Sequence, residues 1–131
     1  MPRRPRNKPF ILDDIGQALD RLTDAGQLLR RRLDAIDPIE HPARWSAVND
    51  EIRALDDRIV ALRGEQQHIA LSHAELTPLA DADLEVLRVA ITQLAELVRA
   101  ADRVALVAEA AVRLAEATGT AIQKVQRGQS S

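Results

Sequence analysis

Glu65 and His68 are the residues whose types and spacing come closest to a chemical motif. They read Glu-x-x-His, and on a helix positions three apart share a face. That motif is half of the ligand set with which four-helix carboxylate proteins hold a pair of iron or manganese ions. The full set needs a second Glu-x-x-His and a glutamate from each of two further helices. This chain has no second copy, and residues 10–37 contain no glutamate. His41 and His73 stand in connecting segments, without a ligand partner at helical spacing. The expectation is no metal and no cofactor.

Covalent catalysis needs a nucleophile, a base and an orienting group converging on one place. The chain has no cysteine, which removes thiol chemistry, disulfides and thiolate metal sites. Its serines are Ser46, Ser72, Ser130 and Ser131, none framed by glycines in a nucleophile turn. The five glycines are isolated and form no phosphate-cradling loop. A non-enzymatic protein is the expectation.

Charge offers a second kind of site. Arg3, Arg4, Arg6 and Lys8 crowd the first nine residues, with no acid among them. Net charge is −2 over the whole sequence and −6 once those four cations are removed. A cationic arm on an acidic body is a candidate phosphate-binding element. The aromatic content is 2%, Phe10 and Trp45 alone, so no platform for stacking bases accompanies it. The arm also lacks the apolar anchor that membrane-surface binding requires. No run of about 18 apolar residues occurs, so no membrane span is expected. Asp13 and Asp14 interrupt what would be the apolar part of a secretory signal. The cytoplasm is the expected compartment.

The elements that must carry these residues are helices. Leu12, Ile15, Leu19, Leu22, Gly26, Leu29, Leu33 and Ile36 follow one another in alternating steps of three and four. Trp45, Val48, Ile52, Leu55, Ile59, Leu62, Gln66 and Ile69 do the same. That alternation is the seam of a coiled coil. Asp37-Pro38-Ile39-Glu40-His41-Pro42 separates the two runs. Pro38 stops the first helix, and Pro42 suits the first position of the second. A connection this short makes the pair an antiparallel hairpin, with Gly26 facing Leu55 and Ile15 facing Gln66. His68 then points away from the first helix. Gly26 reads as a close-approach position or a hinge, and Gln66 as a register-setting or a wet polar residue.

Ser72 to Thr77 reads as a second connection, and Thr77-Pro78 as a helix start. From there to Thr118 no proline, glycine, asparagine or serine interrupts the chain. A single long helix is the expectation, with a fold-back near Ala101 as the alternative. Its second half is rich in alanine, from Ala100 to Ala121, and alanine buries little area. Asp102, Glu109 and Glu116 recur every seven residues and mark its exposed face. The opposite face, Val104, Val107, Ala111, Leu114 and Ala121, is then left for a partner.

The expected fold is all-α: an antiparallel coiled-coil hairpin plus a long third helix, a three-helix bundle. A break near Ala101 would give a four-helix bundle. The expected layout is a basic disordered arm over 1–9 and one helical domain over 10–127, followed by a tail over 128–131. The helices fall at about 10–37, 42–72 and 78–127. The expected function is a helical interaction and assembly module that self-associates, as a dimer in the simplest case, or binds another helical protein. The alternative is a small nucleic-acid-associated protein using Arg3, Arg4, Arg6 and Lys8. That alternative predicts binding that weakens with salt, with a log–log slope of about −3 to −4 for four phosphate contacts on duplex DNA. Deleting residues 1–8 should abolish it, as titrations at several salt concentrations would show; salt-insensitive or retained binding would rule out the arm.

Overall fold

The computed structural model describes residues 8–71, 79–100 and 104–127. Among the described residues the protein is all-α, with four helices: α1 (Lys8–Asp34), α2 (Pro42–Leu71), α3 (Asp81–Ala100) and α4 (Val104–Arg127). None of them is long and apolar enough to cross a membrane. Residues 1–7, the Ser72–Thr77 connection, the Thr77-Pro78 start and the 128–131 tail lie outside the described residues, as do Ala101, Asp102 and Arg103.

The α1–α2 hairpin forms as the two runs require. All sixteen positions of the two runs are buried or half-buried. A Cβ added at Gly26 would lie 3.8 Å from Leu55 Cδ2, and one at Gly16 would lie 3.5 Å from Gln66 Nε2. These contacts place Gly26 against Leu55 and set the antiparallel register. Around them Arg30 pairs with Asp56, and Arg63 donates to Thr23 Oγ1 at 3.1 Å. Gln66 is half-buried.

The turn closes by local hydrogen bonds. Ala35 and Ile36 donate to Arg32 and Leu33 carbonyls at 3.1 and 3.0 Å, so α1 ends in a tightened turn, before the expected residue 37. Asp37 Oδ1 accepts from the Ile39 amide at 2.8 Å, an Asx turn of the kind aspartate favours. The His41 amide reaches the Asp37 carbonyl at 2.9 Å, and Trp45 bonds back to His41 at 3.0 Å to start α2. At its other end α1 takes in Lys8 and Pro9, two residues earlier than the expected start at 10.

The long third helix is replaced by two, α3 and α4, packed against each other. Lys124 near the end of α4 reaches Asp83 in the first turn of α3 at 2.8 Å, so the pair is antiparallel. The reason is burial. A straight helix would leave Val107, Leu114, Ile122 and Val125 in water, whereas here they are at most 1% exposed. Burying each contributes about 1.5–3 kcal/mol, more than the helical hydrogen bonds lost at a break, about 1 kcal/mol each.

The resulting bundle has α1 in contact with all three other helices and α4 likewise, while α2 and α3 do not touch. α1 and α4 therefore form the short diagonal. The core combines Ile15, Leu19, Leu22 and Leu29 of α1 with Ile52, Leu55, Ile59 and Leu62 of α2. Leu87, Ile91 and Leu94 of α3 and the apolar face of α4 complete it. α1 has a second buried stripe of Asp14, Ala18, Ala25 and Leu28. Asp14 is 8% exposed, and its carboxylate takes two contacts of 3.3 Å from the Arg88 guanidinium of α3. Thr118, fully buried in α4, returns its hydroxyl to the Leu114 carbonyl at 2.7 Å.

The glycine contacts give a direct test. A Cβ at Gly26 meets only ordinary van der Waals neighbours, and one at Gly64 meets nothing within 4 Å. α1 also runs unbroken through Gly26, so no hinge is present there. Gly26→Ala and Gly64→Ala should each stabilise by about 0.5–1 kcal/mol through helix propensity. Leu62→Asp should destabilise by at least about 3 kcal/mol, because it buries an unpaired charge. Thermal melts read all three; loss of stability in Gly26→Ala would mean that the helices need the glycine.

Candidate functional site

The structure separates the sequence-derived candidates. Val107, Ala111, Leu114 and Ala121 are 0–2% exposed. They face α1, α2 and α3 of the same chain, and Val104 is the first residue of α4. These four positions, expected to await a partner, are thus covered within the chain itself. Arg3, Arg4 and Arg6 lie outside the described residues, and Lys8 is the first residue of α1. Glu65 and His68 are exposed on α2. Among the described residues no three His, Asp or Glu side chains gather as a metal-ligand group. His41 is exposed in the turn, Ser46 is exposed on α2, and His73 lies outside the described residues.

What the structure adds is an open groove between α2 and α4. The two helices run parallel, with Leu62 against Gly119 at the lower end, where an added Cβ would sit 3.9 Å from Leu62 Cδ2. Their contact is incomplete for a reason visible in the residues. α2 buries a narrow stripe, Ile52, Leu55, Ile59, Leu62 and Ile69. α4 carries a wider apolar face that α2 does not fully cover. Small side chains fill the flanks, Ala54 on α2 with Ala105 and Ala108 on α4, and leave a concavity of about 610 Å³. Leu29, Leu55, Ala111 and Ala115 form its apolar floor, and Val112, 55% exposed, forms part of its wall.

The rim is charged. Glu51 and Arg58 stand on the α2 side, Glu109 and Glu116 on the α4 side. A second concavity, about 430 Å³, continues the groove past Ala61, Glu65, Gly119 and Gln123. Arg58 and Glu116 line both. Glu109 bonds to Arg113 one turn along its own helix at 3.4 Å. Glu51, Arg58, Glu65 and Glu116 form no ion pair with another described residue.

Among the described residues the groove lining contains no serine, cysteine, histidine, lysine or tyrosine. Its chemistry is that of an apolar slot between Glu51 and Arg58, continued by a more polar stretch past Thr120 and Gln123, with carboxylates and one guanidinium at the edge. Such a slot recognises shape and charge; helix-in-groove binding uses surfaces of this kind. The chain matches no protein-family model, no characterised protein and no solved structure. Its functional reading rests on its own residues.

Core and groove positions on α4 should separate in one experiment. Leu114→Glu puts a carboxylate into a fully buried site and should lower stability by at least about 3 kcal/mol, near 10 °C in melting temperature. Val112→Arg, two residues earlier and half exposed, should stay within about 0.5 kcal/mol of wild type. Circular-dichroism melts of both variants check it. Equal tolerance of the two substitutions would show that α4 does not pack as described.

Proposed function

We propose that the protein is a non-enzymatic helical interaction and assembly module, acting through helix–helix contacts. The observation that carries this reading is the α2–α4 groove, an apolar floor left open within an otherwise closed bundle. Its length supports the reading. From Glu51 to Glu65 the α2 wall runs about 21 Å at 1.5 Å per residue, four turns of a docked helix. Self-association through Val107, Ala111, Leu114 and Ala121 would require opening the core, so the contact surface is assigned to the groove. No described feature favours the nucleic-acid alternative: the groove rim is acidic, and carboxylates repel phosphates.

Site-specific photo-cross-linking in cells tests the proposal. A photoreactive side chain at Val112 samples the groove. One at Val60, 72% exposed on the outward face of α2, is the control. The expected result is a discrete protein adduct from position 112, none from position 60, and loss of the adduct when Ala108→Arg fills the slot. No adduct from position 112, or the same adduct from both positions, would overturn it.

A further inference from the structure

Charges along the groove repeat at the spacing of a helix that lies beside them. On the α2 side they are Glu51, Arg58 and Glu65, seven residues apart at each step. On the α4 side Glu109, Glu116 and Gln123 follow the same interval. Seven residues is the interval at which flanking charges recur along packed helices, where opposite charges across the contact select partner and register. The intervals on α2 and α4 are aligned, because the walls run parallel and Arg58 and Glu116 border the same two concavities. Each wall therefore presents a pattern: negative, positive, negative on α2, and negative, negative, neutral on α4.

We propose that the groove binds a cationic amphipathic helix of another protein, in heptad register with α2 and α4. Its aliphatic ridge lies on Ala54, Ala108 and Val112, the accessible apolar residues of the slot. The flank facing α2 carries basic, acidic and basic residues at seven-residue spacing, opposite Glu51, Arg58 and Glu65. The flank facing α4 carries basic residues opposite Glu109 and Glu116. This rests on the interaction-module reading and extends it by naming the chemistry of the partner.

Charge complementarity decides between occupants. The groove contributes four carboxylates and one guanidinium, and three of those carboxylates have no ion partner among the described residues. A second copy presenting the same groove would set four more carboxylates and only one guanidinium against this rim. An acidic or neutral helix would leave Glu51, Glu65 and Glu116 partly desolvated and unpaired, which is unfavourable. A basic flank turns the same desolvation into ion pairs. Arg58 in the middle of the α2 wall makes the site selective, because a uniformly basic flank would meet a like charge there.

Two labelled peptide probes test the inference on the full chain by fluorescence anisotropy at low salt. Both have the same aliphatic ridge. The first carries Lys, Glu and Lys at heptad spacing on one flank and two Lys on the other; the second has every flanking charge reversed. The first should bind at least tenfold more tightly. Glu51→Lys combined with Glu116→Lys should reverse or abolish the preference, while Arg58→Glu should weaken the first probe and favour a probe whose central Glu is Lys. Thermal melts confirm that these exposed substitutions leave the bundle folded. Equal binding of the two probes, or a preference unchanged by the double substitution, overturns the inference. An adduct at Val112 without selective probe binding overturns it and leaves the interaction-module reading standing. The inference also falls if light scattering shows a dimer that Val112→Arg dissolves, which would make a second copy the occupant. It falls likewise if the probe binds only after residues 1–7 are removed, which would make the chain's own cationic segment the occupant.

Discussion

The bundle depends on one helix being buried along two stripes. α1 gives Ile15, Leu19, Leu22 and Leu29 to α2, and its second stripe, Asp14, Ala18, Ala25 and Leu28, is buried as well. Only a helix buried this broadly can contact three others. Ala18 and Ala25 have no exposed surface, and their small size permits the close approach that a short diagonal requires. Remove that second stripe and α3 and α4 would have no common surface on which to close. The Asp14–Arg88 pair belongs to the same stripe. The carboxylate is nearly enclosed and the guanidinium reaches it from a half-exposed position, so the pair specifies where α3 lies more than it adds net stability.

Much of the hairpin could be read directly. Its alternating steps of three and four survive without a slip, and the connection at Asp37-Pro38 is too short for another register. The pairing of Gly26 with Leu55 followed from those facts alone. The second stripe of α1 was hidden because Asp14 and Arg21 interrupt it with charge and alanine gives a weak apolar signal. The fold-back of α4 on α3 is legible only as the alternative to one long helix, because no proline or glycine marks it. A clue existed: residues 78–127 carry a polar stripe that steps from Arg103 to Glu109, six residues, with Leu106 in between. Six residues advance a helix by about 600°, so the stripe cannot stay on one face.

The groove was less legible than the fold. Its walls are alanines, glutamates and one arginine, residue types that read as ordinary solvated surface. The heptad interval of Glu109 and Glu116 was visible, and it correctly marked an exposed face. Its meaning changed once α4 lay beside α2, because Glu51, Arg58 and Glu65 then stood across from it. A surface built from two segments that are distant in sequence has no local signature. Only the fold-back of α4 brings its parts together.

The narrow stripe of α2 also grades the stability of the molecule. α1 is held on most sides, and α4 is held by three helices. α2 has a single buried row, no contact with α3 and an open flank along the groove. Amide protection therefore falls from the central diagonal of α1 and α4 outward to α2 and α3, each of which meets only those two helices. The α2 wall of the groove thus belongs to the outer, less anchored pair of helices. Occupation of the groove would supply α2 with the contacts it lacks, so that binding and the ordering of this helix become one free-energy term.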